Sequence, residues 1–324
     1  VSRSAPSLLA RLADGAVHSG QTLAAEFGVS RAAIGKQIAR LRAQGWPVEA
    51  RRGLGYHLPE GWRPLERAAI ELAPGYAAAG PESLVMLDRV DSTSRYLDRG
   101  PAPAPGGTRL CIAEHQQAGR GRQGRRWHSA PGASITFSAV RTFDRSPAEL
   151  GALGLAIGVA LCECLTAQGM AGIGLKWPND LLHDGRKLGG VLIELRGEAA
   201  GATRVTAGVG INHGDPATQT GTASTGLASI AGDTVPDRSR IAGTLMGAVI
   251  TALDEFASDG FAAFRARWDR FDLLAGRAVR VWTSEGTRDG TACGIADNGA
   301  LLFADDDGGR HALHSAEVTI RARV

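Results

Sequence analysis

Hydrophobic positions along the chain change their spacing twice. Up to residue 58 they recur at helical intervals. Residues 7–14 read as a short amphipathic helix stopped by Gly15, and residues 22–27 as a second helix before a Gly28-Val29 turn. Ile34, Ile38 and Leu41 form the apolar stripe of a third helix over 31–44, with Ser30 placed to cap it. Gly45 ends that helix, and residues 46–58 read as a hairpin turning near Arg51-Arg52-Gly53. Between 84 and 211 short apolar runs predict strands at 84–87, 109–113, 134–140, 173–176, 188–195 and 205–211. Asp184-Gly185 is a hairpin signal joining 181–183 to the strand at 188–195. Helices are predicted at 65–72, 239–257 and 261–271, and a buried one over the longest apolar run, 150–162. That run is shorter than the about 20 residues a membrane span needs. Its Gly154 and Gly158 permit close packing on a sheet. Five short strands follow at 277–282, 286–295, 300–303, 310–314 and 317–321.

Hairpins mixed with helices argue for an α+β chain around a mixed sheet, not a doubly wound parallel one. Three domains are expected: a winged helix-turn-helix at 1–60, a larger mixed-sheet domain at 61–273, and a small SH3-like β-barrel at 274–324. Asp305-Asp306-Asp307-Gly308-Gly309 reads as a solvated turn, because the spacing of a calcium loop is missing.

Composition adds two points. Hydrophobic content of 44% and a net charge of +3 are ordinary for a soluble protein. Residues Val1–Ala10 lack the charged start and apolar run of a secretory signal. With four scattered cysteines (Cys111, Cys162, Cys164, Cys293), a reducing cytoplasm and no membrane are expected. The front segment is much more basic than the whole. Ser30, Arg31, Lys36, Gln37 and Arg40 lie on or beside the third helix's polar face, and Arg51 lies in the hairpin. They suit phosphates and base edges of a major groove. A three-helix interaction domain with a solvated basic face has the same signature. Of 36 basic residues only Lys36, Lys176 and Lys187 are lysine, which draws attention to the last two as compact ammonium groups for chemistry.

The candidate chemistry sits in four patches. Residues 114–128 interleave Gly119, Gly121 and Gly124 with Arg120, Arg122, Arg125 and Arg126, and Trp127 adds an apolar wall. Glycines let backbone N–H groups approach a ligand, and guanidinium forks suit carboxylate and phosphate oxygens. A solvated basic loop would look alike. Asp91-Ser92-Thr93-Ser94 ends a strand and opens a helix, where its hydroxyls either cap the helix or bind a ligand. Lys176-Trp177-Pro178-Asn179-Asp180 projects an ammonium, an amide and a carboxylate from one stiff turn, or bonds local backbone. Lys187-Leu188-Gly189-Gly190 and Gly208-Val209-Gly210-Ile211-Asn212 are strands against whose glycines a ligand can lie.

In this order, Gln116-Gln117-Ala118-Gly119-Arg120-Gly121-Arg122, the Lys-Trp-Pro-Asn-Asp run, Lys187-Leu-Gly-Gly and Gly-Val-Gly-Ile-Asn resemble biotin protein ligase. Behind a winged helix they are similar to the bifunctional bacterial type, ligase and biotin operon repressor in one chain. The resemblance spans essentially the whole length. It implies a class II synthetase-like catalytic domain and a final SH3-like domain. It also implies ATP, Mg²⁺ carried with the ATP, and biotin as substrates, with biotinyl-5′-AMP as intermediate and corepressor. Implied partners are a biotin carboxyl carrier protein, operator DNA and a second copy in a ligand-promoted homodimer. Ser92, Thr93, Ser94 and Gln116 would hold the biotin ring end. Gly119, Arg120, Gly121, Arg122 and Trp127 would close over biotin and the phosphate junction. Lys187 would stabilise charge at the carboxylate and α-phosphate, with Gly189 and Gly190 beside it. Lys176, Asn179 and Asn212 would line the phosphates and ribose, and Asp180 would accept the acceptor lysine's proton. Glu317 and Arg321 would approach the nucleotide or the carrier. Two departures from the family pattern are Ser94, commonly Asn, and the stretch 213–230, which has no tryptophan to stack on adenine. A lipoate-type ligase, a DNA-binding sensor without turnover, and a winged helix that only supports the active site are the competing readings.

Overall fold

The computed structural model describes residues 8–59, 62–128, 131–197, 201–214, 223–283, 286–314 and 319–322. The chain forms two compact units, Val1–Glu66 with Ala130–Gly132, and the remainder.

In the first unit, α1 (Leu8–Leu12), α2 (Gly20–Phe27) and α3 (Arg31–Ala43) precede the hairpin β1 (Glu49–Arg51) and β2 (Gly55–His57). Leu9, Leu12, Leu23, Ile34, Ile38, Trp46, Val48 and Leu58 make one buried cluster, so the helical stripe is the core face of α3. Gly28 turns the chain between α2 and α3 in the left-handed region, at φ +65°. Ser30 Oγ accepts the Ala33 N–H at 3.1 Å, so this hydroxyl is spent on capping α3. Arg31, Lys36, Gln37, Arg40 and Arg51 are exposed.

The second unit opens with two short helices, α4 (Arg67–Glu71) and α5 (Tyr76–Ala79). The helix expected over 65–72 is thus trimmed at both ends, and Leu72 is 83% exposed. Next come β3 (Ser83–Val90), α6 (Thr93–Arg99), β4 (Arg109–Gln116), β5 (Ser134–Phe143) and α7 (Leu153–Ala167). Then follow β6 (Ile173–Lys176), β7 (Asp180–His183), β8 (Arg186–Arg196) and β9 (Thr203–Asn212). The helices α8 (Leu227–Ala231), α9 (Arg238–Asp259) and α10 (Arg265–Asp269) close this part. Finally come β10 (Ala278–Thr283), β11 (Gly286–Ile295), β12 (Leu301–Asp305), β13 (Arg310–Leu313) and β14 (Thr319–Ala322).

The large sheet runs β3-β4-β5-β9-β8-β7-β6, with β3 parallel to β4 and every other pair antiparallel. The mixed sheet of an α+β chain is therefore present. α7 lies against one face, where Gly154 approaches Ile193 and Gly158 approaches Leu175. A Cβ at either glycine would sit 3.3 or 3.1 Å from those side chains, so both are needed for the close approach expected of them. The Pro147–Ala167 stretch has the length and mean hydropathy of a membrane span, 21 residues at 1.9. Most of it is buried against protein, which accounts for its apolar character.

Along α9, Gly243 and Gly247 have the same use: a Cβ there would strike the Ile70 carbonyl and the backbone of Gly75. The buried guanidinium of Arg238, at the start of α9, donates to both oxygens of buried Glu114 at 2.9 and 2.6 Å. The last five strands form an antiparallel sheet in the order β13-β12-β11-β10-β14. Trp177, 1% exposed, donates from Nε1 to the Gly299 carbonyl at 3.0 Å and ties that sheet to the turn after β6. Glu317 lies outside the described residues, as do 215–222 of the 213–230 stretch.

Candidate active site

Strand register builds the floor of the site. Cross-strand partners share a face of the sheet. One row therefore reads Ala113, Thr136, Gly210, Gly190, Asp180 and Lys176 across β4, β5, β9, β8, β7 and β6. The next reads Cys111, Ser138, Gly208 and Leu192, and the one beyond it Val140, Thr206 and Glu194. Ile193, of opposite parity, meets α7, so these rows occupy the other face. α6 covers part of that face through Leu97, packed on Cys111 and Val140. Small residues at Thr136, Ser138, Gly208, Gly210 and Gly190 make a trough in the sheet beside it, into which Ser94 and Trp127 reach over Gly208 and Gly210.

The four glycines are used differently. A Cβ on Gly190 would stand 3.3 Å from Asp180 Oδ1 and 3.8 Å from Lys187 Cε, so this glycine makes room at a charged pair. A Cβ on Gly208 would lie 3.0 Å from Ser94 Oγ, and one on Gly210 only 2.6 Å from the Trp127 ring. Gly189 abuts protein: Ile211 Cδ1 and the Gly210 carbonyl fill its side-chain position at 2.4 and 2.6 Å.

At the start of α6, Ser92 makes no side-chain capping bond, and Ser92, Thr93 and Ser94 are all buried. The Thr93 and Ser94 hydroxyls join a polar chain. The Thr93 N–H and Oγ1 donate to Gln116 Oε1 at 2.8 and 3.1 Å. Thr93 Oγ1 and Ser94 Oγ lie 2.7 and 3.0 Å from Ser138 Oγ. Thr93 and Ser94 thus meet at Ser138, and Gln116 joins them through Thr93.

The Gly-Arg segment folds as a small closed loop. Gly121 N–H donates to the Arg125 carbonyl at 2.7 Å, Trp127 N–H to the Gly119 carbonyl at 3.0 Å, and Arg120 bridges to Arg126. A left-handed Gln123 and Gly124 turn it, at φ 55° and 70°. Arg120 Nη2 donates to Glu194 at 2.9 Å. Burial pulls the Arg122 guanidinium below its ordinary pKa, while the Asp180 carboxylate pulls it back up. Arg120 Nε, Arg122 Nη2 and Trp127 Nε1 are buried and make no hydrogen bond among the described residues. Each buried orphan donor costs about 1–3 kcal/mol, so the closed loop gains when an acceptor-rich molecule supplies their partners. A solvated basic loop would leave no such donors buried.

Lys187 Nζ donates to Asp180 Oδ1 at 2.6 Å across β7 and β8. A register shift between Leu181 and Leu182 brings Lys187 beside the Asp180 row. The Lys187 backbone is locked separately: its N–H donates to Ala223 and its carbonyl accepts from Thr225, at 2.8 and 3.0 Å. Asn212 Nδ2 donates to the Lys187 and Thr225 carbonyls at 3.3 and 3.0 Å, and Asn179 Nδ2 to Val191 at 3.0 Å. Both amides thus hold the strands that carry the site. Trp177–Pro178 is a cis peptide.

Sequence reasoning missed Ser138 and Glu194. Ser138 carried a signal, a hydroxyl within the apolar strand 134–140. Glu194 carried none, since its partner is 74 residues away. Among the described residues no group of three His, Cys, Asp or Glu side chains is arranged to hold a metal.

Residues 86–212 match the biotin/lipoate A/B protein ligase family, and residues 7–57 match an HTH domain. The bifunctional ligase/repressor BirA of Escherichia coli is 37% identical over 319 residues, 96% of this chain and 97% of the relative. A biotin–[acetyl-CoA-carboxylase] ligase of Mycobacterium tuberculosis is 35% identical over 257 residues, covering 76% and 92%. The biotin protein ligase of Aquifex aeolicus in complex with biotin and ATP superposes with a TM-score of 0.63 at 27% identity, covering 75% of this chain and 100% of that one. Similarity at this level across both the DNA-binding and the catalytic regions makes this chain a member of the bifunctional biotin ligase/repressor family.

Proposed function

We propose that the trough binds biotin and ATP, joins them as biotinyl-5′-AMP, and passes biotin to a lysine of a biotin carboxyl carrier protein. The observation that carries this reading is the Lys187–Asp180 pair at a glycine floor, together with a Gly-Arg loop that holds three buried donors and whose Arg122 feels the Asp180 carboxylate. Bringing a carboxylate against a triphosphate concentrates negative charge, which fixed cations in a partly dry site offset far better than water does. Arg122 and Lys187 supply that charge, and Arg120 closes the loop that carries Arg122. Lys176 extends the same row toward the nucleotide. Trp127, Gly119 and Gly121 form the cover, and Ser92, Thr93, Ser94 and Gln116 hold the polar ring end of biotin, with Ser138 bonded to Thr93 and Ser94. Asn179 and Asn212 act by setting the strands under the phosphates and ribose, as do Gly189 and Gly190. Mg²⁺ arrives on the nucleotide phosphates and shields their charge there.

Incubation with ATP, magnesium, labelled biotin and a carrier domain tests the reading. Labelled adenylate followed by labelled carrier is expected; no adenylate would reject it. A lipoyl substrate in place of biotin tests the rival specificity. Ser138→Ala breaks the link between Thr93 and Ser94, so biotin affinity should fall by roughly five- to tenfold, the worth of about one neutral hydrogen bond. Calorimetric titration with biotin reads this directly, and unchanged affinity would remove Ser138 from the site.

We further propose that the first unit binds an operator, two copies of the chain pairing when the adenylate is bound. The adenylate then acts as corepressor in a reducing cytoplasm, where the free cysteines remain thiols. Ser30 sets the reading helix α3, and exposed Arg31, Lys36, Gln37, Arg40 and Arg51 meet the duplex. Lys36→Ala should weaken operator binding and lower the slope of log affinity against log salt by about one, while carrier biotinylation continues. A slope equal to that of the unaltered chain would remove Lys36 from the interface.

A further inference from the structure

The Gly-Arg loop rests on the sheet at two points. One is apolar, the Trp127 ring over Gly210. The other is ionic, Arg120 to Glu194, with Nη2 at 2.8 and 2.9 Å from the two carboxylate oxygens. Arg122 lies between them in sequence, its Nη2 buried and unbonded. An acid on this face is out of character for a trough built to receive a carboxylate and phosphates. Its place explains it. Glu194 pairs with Thr206, two rows beyond Gly190, Gly210 and Asp180, so its charge is removed from the reacting atoms. Thr206 in turn donates to Asp98 of α6 at 2.6 Å, and Asp98 holds Arg196 at 3.0 Å, so a polar network continues beside it.

We propose that Glu194 is the latch of the Gly-Arg loop. It is a positioning residue: by holding Arg120 it sets Arg122 and Trp127 over the trough and retains the reactive adenylate until the carrier arrives. The inference rests on the ligase reading above. A loop that closes an active site shields a labile intermediate from water and delays its escape. Glu194→Gln keeps the shape and removes the charge, so the open state becomes more populated. For an ion pair about a third exposed on one side and a quarter on the other, the expected effect is about a fivefold faster release of biotinyl-5′-AMP. KM for biotin should rise by a similar factor, with a smaller change in kcat of adenylation. Glu194→Asp, which keeps the charge on a shorter stem, should recover part of the retention.

The test is a pulse-chase: bound labelled adenylate is formed on the full chain, unlabelled adenylate is added in excess, and label loss is timed for the three proteins. Faster loss from Glu194→Gln than from the unaltered chain, with Glu194→Asp between them and unchanged melting temperatures, supports the latch. Equal loss from all three overturns it. Loss with the melting temperature lowered in proportion assigns Glu194 to folding and also overturns it. Should the unaltered chain form no adenylate, the ligase reading fails, and that outcome is separate from all the others.

Discussion

Replacing Lys187 by methionine should lower the rate of biotinyl-5′-AMP formation by roughly 10²–10³-fold, the usual loss when one preorganised charge-stabilising group is removed. The structure separates this effect from damage to the fold. Lys187 contributes to architecture through its backbone, bonded to Ala223 and Thr225 and to the Asn212 amide, and methionine leaves those bonds in place. Among the described residues its ammonium pairs with a carboxylate that is itself about a quarter exposed, at 2.6 Å from Asp180 Oδ1. An ion pair so open to water contributes at most about 1 kcal/mol to stability. The melting temperature should therefore move by a few degrees at most while the rate collapses. Lys187→Arg tests the geometry as well as the charge. A planar guanidinium is wider than an ammonium and Gly190 leaves limited room beside it, so the arginine variant should recover only part of the rate. Pyrophosphate exchange measured at saturating biotin and ATP reads both substitutions. Full activity in Lys187→Met would remove the ammonium from the chemistry.

The candidate site was legible where its function requires local sequence patterns. Interleaved Gly and Arg, a hydroxyl cluster before a helix, and paired glycines on neighbouring strands all report a backbone or charge demand met within a few residues. The floor was legible in part. Gly190, Gly208 and Gly210 stand in the sequence, but that Gly210 receives Trp127 and Gly189 receives Ile211 depends on register, which the pattern alone leaves open. Long-range ion pairs were not legible. Arg120 finds Glu194 across 74 residues, and Arg238 finds Glu114 across 124. Charges of either sign are common enough that no spacing rule selects such partners. A mixed sheet was legible, but which strands pair in parallel was not: β3 with β4, whose connection runs through α6. At the front, Ile34 and Ile38 located the core face of α3 because a helix repeats its buried positions locally. The helix at 65–72 came out shorter because α4 is held by packing on Gly243 of α9, while Leu72 faces solvent.

Asp180→Asn should divide the two half-reactions. A free acceptor lysine has a pKa of about 10.4, so near neutral pH only about one in a thousand is the amine that can attack. A carboxylate beside the adenylate accepts that proton, a role worth about 10²–10⁴-fold. Asp180 is placed for it: it shares a row with Gly190 and Gly210 on the trough floor, and Gly190 keeps the space beside its Oδ1 open. In this structure that oxygen accepts from Lys187. We propose that Lys187 turns toward the carboxylate and α-phosphate and so frees the same oxygen for the incoming ammonium. One acid would then serve first as the counter-ion of the activating lysine and next as base for the accepting one. Asparagine fills the same volume and cannot take a proton at neutral pH. Single-turnover transfer from preformed adenylate to the carrier should fall by at least about 10²-fold, while adenylate formation stays within about tenfold. The variant's transfer rate should then climb nearly tenfold per pH unit between pH 7 and 9, because the acceptor must lose its proton to water unaided. If adenylate formation and transfer fell together, Asp180 would be only the anchor of Lys187, and the base would have to be sought on another residue of the trough.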